Sequence, residues 1–224
     1  WRGHERHGLG EQLWADGGRF LGHWIESCAE GLGHFSHPDG DAFFGQWRRS
    51  RAHGHGVYYH ERALTIYDGQ WVEDLQQGLG VEQCDSAQGS SQYAGHFRAG
   101  DKEGYGSYEW PDGSRYHGQW RGNSINGYGH YLDADGREFR GTWREAVLHG
   151  CGRYSWPDGH AYCGQYQDDR KHGFGIFTWR DGKSFAGFWR EGKPHGPGIS
   201  YGPQGQVLKQ GNWNMGVAPD LVCQ

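Results

Sequence analysis

Residues 185 to 198 read Phe185-Ala186-Gly187-Phe188-Trp189-Arg190-Glu191-Gly192-Lys193-Pro194-His195-Gly196-Pro197-Gly198. Two large rings four residues apart flank a glycine, and a G-x-G follows. On a β-strand, positions i, i+2 and i+4 share one face, so the glycine leaves a gap between the rings that another ring or backbone can enter. Outward from this stretch the spelling repeats. The first glycine of a G-x-G falls at Gly8, Gly31, Gly54, Gly78, Gly104, Gly127, Gly150, Gly173 and Gly196, with steps of 23, 23, 24, 26, 23, 23, 23 and 23. Aromatic-x-Gly-x-aromatic interleaves with it eight times, through Phe20/Trp24, Phe43/Trp47, Tyr67/Trp71, Tyr93/Phe97, Tyr116/Trp120, Phe139/Trp143, Tyr162/Tyr166 and Phe185/Trp189. A ninth, degenerate copy keeps Gly211 and Trp213 but has Lys209 in place of the first ring. A fixed period decides the architecture.

Asp-Gly lies between the two motifs in six repeats, at Asp16, Asp39, Asp112, Asp135, Asp158 and Asp181. Such a pair between alternating segments signals a hairpin, so each repeat is predicted to be one hairpin. The third turn, around Arg62 to Thr65, lacks Asp-Gly, and Asp85 to Gln92 is longer, which predicts a bend or bulge there. A lone hairpin is marginal in water, so each must bury its aromatic face against its neighbours. Strands about 4.8 Å apart give an object on the order of 85 Å long. The expected fold is all-β: an elongated single-layer solenoid of tandem antiparallel hairpins, a twisted rod or trough. Nine repeats occupy residues 1–214, and residues 215–224 form a cap or dimerisation tail.

Only 34% of the chain is hydrophobic and 42 residues are Gly, which argues against a thick core; the 35 aromatics argue against disorder. There is no run of 18 apolar residues, and Trp1-Arg2-Gly3-His4 begins within a repeat with no signal-peptide pattern, which reads as a soluble fragment. Five cysteines without a Cys-x-x-Cys pair suit a reducing, cytoplasmic compartment. Residues 1–112 hold 9 Lys/Arg against 17 Asp/Glu, and residues 113–224 hold 13 against 10. This asymmetry fits either surface drift or attraction between opposite ends of different copies.

Fifteen histidines invite a metal or catalytic reading. Five of them, His7, His53, His149, His172 and His195, share the slot before G-x-G with Glu30, Gln77, Glu103 and Asn126, which argues for a turn role instead. If Asp158-Gly159 is a two-residue turn, Tyr154 pairs with Cys163 and Cys151 with Tyr166, so the two thiols point to opposite faces and no zinc site forms within the chain. Zinc shared between chains stays open. No G-x-S-x-G, phosphate loop or H-E-x-x-H occurs, and the repeated aspartates suit turns, so no enzyme activity, cofactor or metal is expected. Acidic net charge opposes nucleic-acid binding. The basic runs Arg48-Arg49-Ser50-Arg51 and Arg170-Lys171 are short, which limits phosphoinositide contact to a weak one.

The aromatic-Gly-Trp and G-x-G spelling over residues 1 to 214 resembles the MORN repeat (membrane occupation and recognition nexus). Within that family the chain is similar to the multi-MORN cytoskeletal scaffolds of apicomplexan and trypanosomatid parasites, whose C-terminal repeats mediate homodimerisation. The resemblance implies a non-enzymatic scaffold that dimerises through its last repeats, near Trp189, Trp213, Met215 and Leu221. It would bind cytoskeletal or membrane-skeleton proteins along its face, in the cytoplasm or beneath the plasma membrane. It also allows a radial-spoke component of cilia or a phosphoinositide-binding adaptor, and some family members carry a catalytic domain elsewhere.

Overall fold

A computed structural model describes residues 1–219, and these contain strands and turns but no helix. The chain forms two compact units: Trp1–Gly113 with Trp120–Asn123, and Ser114–Gln119 with the described residues from Ser124 onward. The first holds β1 (Gly8–Leu13), β2 (Arg19–Ile25), β3 (Cys28–Ser36), β4 (Ala42–Arg48), β5 (Arg51–His60), β6 (Thr65–Val72), β7 (Leu75–Ser86), β8 (Gly89–Arg98) and β9 (Asp101–Glu109). After β10 (Arg115–Arg121), divided between the units, the second holds β11 (Ser124–Leu132), β12 (Glu138–Arg144), β13 (Val147–Ser155), β14 (Ala161–Gln167), β15 (Arg170–Thr178), β16 (Ser184–Arg190), β17 (Lys193–Tyr201) and β18 (Val207–Trp213). Within each unit successive strands pair antiparallel in chain order.

Each strand contributes one glycine to a row that crosses the sheet. Gly10 pairs with Gly22, Gly22 with Gly33, Gly33 with Gly45 and Gly45 with Gly56 in the first unit. In the second, Gly141 pairs with Gly152, Gly152 with Gly164 and Gly164 with Gly175. The first ring of each motif lies over two of these glycines. A Cβ on Gly95 would come within 2.5 Å of the Tyr93 hydroxyl and 2.5 Å of the Gly106 Cα. The second glycine of each G-x-G therefore answers to packing. The first answers to backbone geometry: Gly150, for example, has φ +90° beside the register shift between Gly141 and Trp143.

The rings form an edge-to-face chain. Phe20 meets Trp24 and Trp47, both at 5.1 Å, and Phe43 meets Trp47 and Trp71, both at 5.2 Å; Tyr67 and Tyr93 continue the chain to Trp120. In the second unit it runs from Tyr116 through Trp143, Phe139, Tyr166, Tyr162, Trp189 and Phe185 to Trp213. Such pairs contribute about 0.5–1.5 kcal/mol each beyond burial. Most polar ring atoms find backbone partners, Trp143, Tyr166 and Trp213 being exceptions. The hydroxyls of Tyr67, Tyr93, Tyr116 and Tyr162 donate to the carbonyls of Gln70, His96, Gln119 and Gln165. The indoles of Trp24, Trp47, Trp71, Trp120 and Trp189 donate to Gly10, Gly33, Gly56, Gly106 and Gly175.

Two kinds of turn alternate. The Asp-Gly turns are three-residue loops, not two-residue ones: Trp156 N–H donates to His160 O at 3.0 Å, Gly159 N–H donates to Trp156 O at 3.0 Å, and Gly159 has φ +94°. The extra residue moves the register by one, so Arg153 faces Cys163 and Cys151 faces Gln165. This corrects the expected pairing of Tyr154 with Cys163 and Cys151 with Tyr166. A slip of one residue exchanges faces, so both free, exposed thiols lie on the face opposite the ring chain. The longer segment from Asp85 to Gln92 does not bulge. It extends β7 and β8 in continuous register to Ser86 opposite Gly89.

The second kind is a two-residue turn of left-handed residues, usually without glycine: Glu26-Ser27, Arg49-Ser50, Glu73-Asp74, Glu145-Ala146 and Asp168-Asp169 all have φ between 49° and 67°. Side chains there cost about 1–2 kcal/mol each. Except at Ala146, which makes only the backbone bond to Ile125, what offsets the strain is a reciprocal pair of bonds to the preceding repeat. Asp74 N–H donates to Ala52 O at 3.0 Å while Ala52 N–H donates to Asp74 Oδ1 at 2.7 Å, and Ser27, Ser50, Asn123 and Asp169 do the same with Arg6, Ala29, Lys102 and Leu148.

Gly164→Ala is expected to destabilise the chain by about 2 kcal/mol, because its Cβ would meet Tyr162 and the Gly175 backbone. Gly192→Ala, with φ +82° and open space around it, is expected to cost about half as much. Urea unfolding of both variants checks the order.

Candidate functional site

The positions expected to pack between repeats lie in the buried chain of rings. Phe20, Tyr67, Tyr93, Tyr116, Phe139, Tyr162 and Phe185 are at most 1% exposed. Trp24, Phe43, Trp71, Phe97, Trp120 and Tyr166 are also buried, while Trp47 and Trp143 are half-buried.

Above this chain, on the same face, lies a second row that the sequence reading did not single out. Two residues past six of the nine G-x-G motifs comes a half-buried aromatic: Phe35 and Tyr58 in the first unit, with Tyr108; Tyr131, Tyr154 and Phe177 in the second. Each sits opposite a buried ring, as Phe35 opposite Phe20 and Phe177 opposite Tyr162. Two residues further the loops add Trp110, Trp156 and Trp179, with Trp14 packed on Phe35 at 5.9 Å. Trp14 and Trp179 stay 42% and 39% exposed. The signal was present in the fixed offset from G-x-G, overlooked because the stronger motif absorbed the aromatics.

Rings arranged in this way offer flat, preformed apolar area with polar edges, a chemistry that suits extended protein segments. In the first unit the row includes a recess lined by Trp14, Phe20, Trp24, Phe35 and Trp47, with the Arg6 guanidinium 4.0 Å from the Trp24 ring. Beside it Asp41 accepts from the Tyr58 hydroxyl at 2.6 Å and lies 2.8 Å from His60 Nδ1. The Tyr58 and His60 bonds, aided by the Glu61 N–H, hold the Asp41 carboxyl down to about 2, and burial with the Asp41 bond pushes Tyr58 up to about 12. This cluster ties one hairpin loop to the next. Among the described residues no group of three or more His, Cys, Asp and Glu is placed to hold a metal ion.

The slot before G-x-G caps the next left-handed turn. Glu30 accepts from Arg49 N–H, Gln77 from Ala99, Glu103 from Gly122, and His195 Nδ1 from Met215 at 3.4 Å. In the basic runs, Arg51 bonds Glu73 at 2.6 Å and Lys171 lies among rings.

Of the four residues expected near a dimer contact, Trp189 is 6% exposed and spent in the chain's own core. Trp213 is half-buried against Phe185 and its indole N–H has no hydrogen-bond partner among the described residues. Met215 is 37% exposed in the last left-handed turn. Leu221 lies outside the described residues. Where Lys209 replaces the first ring, Pro219 approaches Gly211 instead: a Cβ there would lie 2.9 Å from it.

The MORN repeat profile matches residues 1–19, 43–61, 67–86, 93–115, 116–136, 139–161, 162–184 and 185–207. No curated protein matches the chain. Among solved structures, the chain is similar to the TCP domain of Drosophila melanogaster SAS-4 (dCPAP) in complex with a proline-rich motif of Ana2 (dSTIL), at 15% identity over 68% of this chain and 86% of that one, with TM-score 0.36. The G-box domain of the microcephaly protein CPAP matches at 14% identity over 92% and 100%, with TM-score 0.36. The TCP10 domain of Danio rerio CPAP matches at 13% over 91% and 100%, with TM-score 0.30.

A carboxyl held below its ordinary 3.8, as Asp41 is, contributes stability that is present above that value and lost as pH falls toward 2. Asp41→Asn is therefore expected to reduce the acid-induced loss of stability between pH 4 and 2, read from thermal melts across that range.

Proposed function

This chain belongs to the MORN-repeat family, and we propose that it acts as a non-enzymatic structural scaffold whose half-exposed aromatic row binds cytoskeletal or membrane-skeleton proteins while its last repeats join two copies. The observation that carries the reading is the division of labour among the aromatics. One row is consumed in folding, whereas the second, Trp14, Phe35, Tyr58 and Tyr108 in one unit and Tyr131, Tyr154, Trp156, Phe177 and Trp179 in the other, keeps part of its ring surface exposed. Aromatic side chains give large contact area at low entropic cost, which is why they are enriched at the centres of interfaces. For self-association the support is narrower: Met215 and Val217 are exposed, at 37% and 69%, beside the half-buried Trp213 at the end of the array. Arg51 is paired with Glu73 and Lys171 is half-buried among rings, so each short basic run presents still less exposed charge to an anionic lipid surface, and the protein-binding reading is preferred.

In small-angle X-ray scattering behind a sizing column, the wild-type chain is expected at twice 25.4 kDa and the Met215→Asp/Leu221→Asp variant at a single chain's mass. A variant of wild-type mass would remove the C-terminal contact from the proposal. In cells, the chain is expected to stay with the detergent-insoluble cytoskeleton, and Trp156→Ala/Trp179→Ala to be released. Equal retention would mean that the aromatic row is not the binding surface.

A further inference from the structure

Two residues past each left-handed turn, the repeat tucks a side chain under the rings. Ala29, Ala52, Ile125 and Leu148 are buried there, as the setting demands. Lys102 and Lys171 occupy the same slot in their own repeats. The Lys102 ammonium is 5.3 Å from the Tyr93 ring centre and is neutralised by Glu82, at 2.5 Å. The Lys171 ammonium is likewise 5.3 Å from the equivalent ring, Tyr162, and also 4.2 Å from Phe177, 5.0 Å from Trp189 and 5.7 Å from Trp156. Among the described residues no carboxylate pairs with it. Glu82 stands opposite Tyr93, and the residue opposite Tyr162 at that position is Tyr154.

Ring faces attract a cation, but a half-buried ammonium with no anion keeps part of its desolvation cost. Burial is the sole cause of its depressed pKa, about 8, in keeping with the absence of a neighbouring carboxylate. The side chain is only partly covered, and the rings around it, Trp156 and Phe177, belong to the half-exposed row with Trp179 beyond them. A group arriving along that row from solvent would meet the ammonium.

We propose that Lys171 anchors a carboxylate supplied by a partner protein: an Asp or Glu in an extended segment lying on the second unit's aromatic row, with an adjacent apolar residue against Trp156 and Trp179. The incoming carboxylate does for Lys171 what Glu82 does for Lys102. This rests on the protein-binding reading above and names the chemistry of its partner.

The test is selection of random 12-residue peptides displayed on phage against the full chain, with counter-selection on Lys171→Met. Enriched peptides are expected to carry Asp or Glu beside an apolar residue. As synthetic peptides they are expected to bind the wild-type chain at least about ten-fold more tightly than Lys171→Met, and to lose as much when the acid becomes Gln or Asn, the scale of a hydrogen bond to a charged group. The peptide substitutions leave the protein untouched, so the comparison survives if Lys171→Met fails to fold. Peptides enriched without acids, or indifferent to both changes, would overturn the anchor while leaving a protein-binding surface. No enrichment at all would overturn the anchor and count against that surface too.

Discussion

The fold depends on an aromatic ring lying over a pair of cross-strand glycines. A single-layer sheet has no second layer to fill its core, so the rings must lie close to the backbone they cover. Only glycine permits this, and the row through Gly10, Gly22, Gly33, Gly45 and Gly56, and its counterpart through Gly141, Gly152, Gly164 and Gly175, clears that space. Once each ring is down, its edges meet the large side chain of its own repeat and that of the next. Phe20 between Trp24 and Trp47 is the pattern. Stability then passes between neighbours, as in other repeat proteins.

The tight turns apply the same logic at the strand ends. Left-handed Ser, Asp and Asn look like errors of sequence until their side chains are followed to the preceding repeat, where they accept the N–H whose carbonyl their own N–H already uses. Glycine would relieve the strain and lose the second bond. Gly100 and Gly192 do so, keeping the backbone bond to Gln76 and Lys171.

Periodicity made the hairpins and the buried rings legible in the sequence, because both follow from residue type at a fixed offset. Loop geometry was less legible. Asp-Gly is common to two-residue and three-residue turns, and choosing between them decides on which face Cys151 and Cys163 lie. The second aromatic row was spelled two residues after each G-x-G but is irregular, with Glu82 and Ser200 among its members. Lys171 looked like half of a basic pair in the sequence, since only the three-dimensional neighbourhood of Trp156, Phe177 and Trp189 distinguishes it from Arg170. Its slot, like the row above it, is a place where the repeat departs from what packing alone requires, and such departures are where function is to be sought.

The most direct test of the account is nuclear Overhauser spectroscopy on the chain labelled in glycine and in aromatic residues. Strong cross-peaks are predicted from the Phe20 ring to the Hα protons of both Gly22 and Gly33, and from the Tyr162 ring to those of both Gly164 and Gly175. Rings without such contacts would contradict the ring-over-glycine packing on which the fold, the second aromatic row and the proposed function all depend.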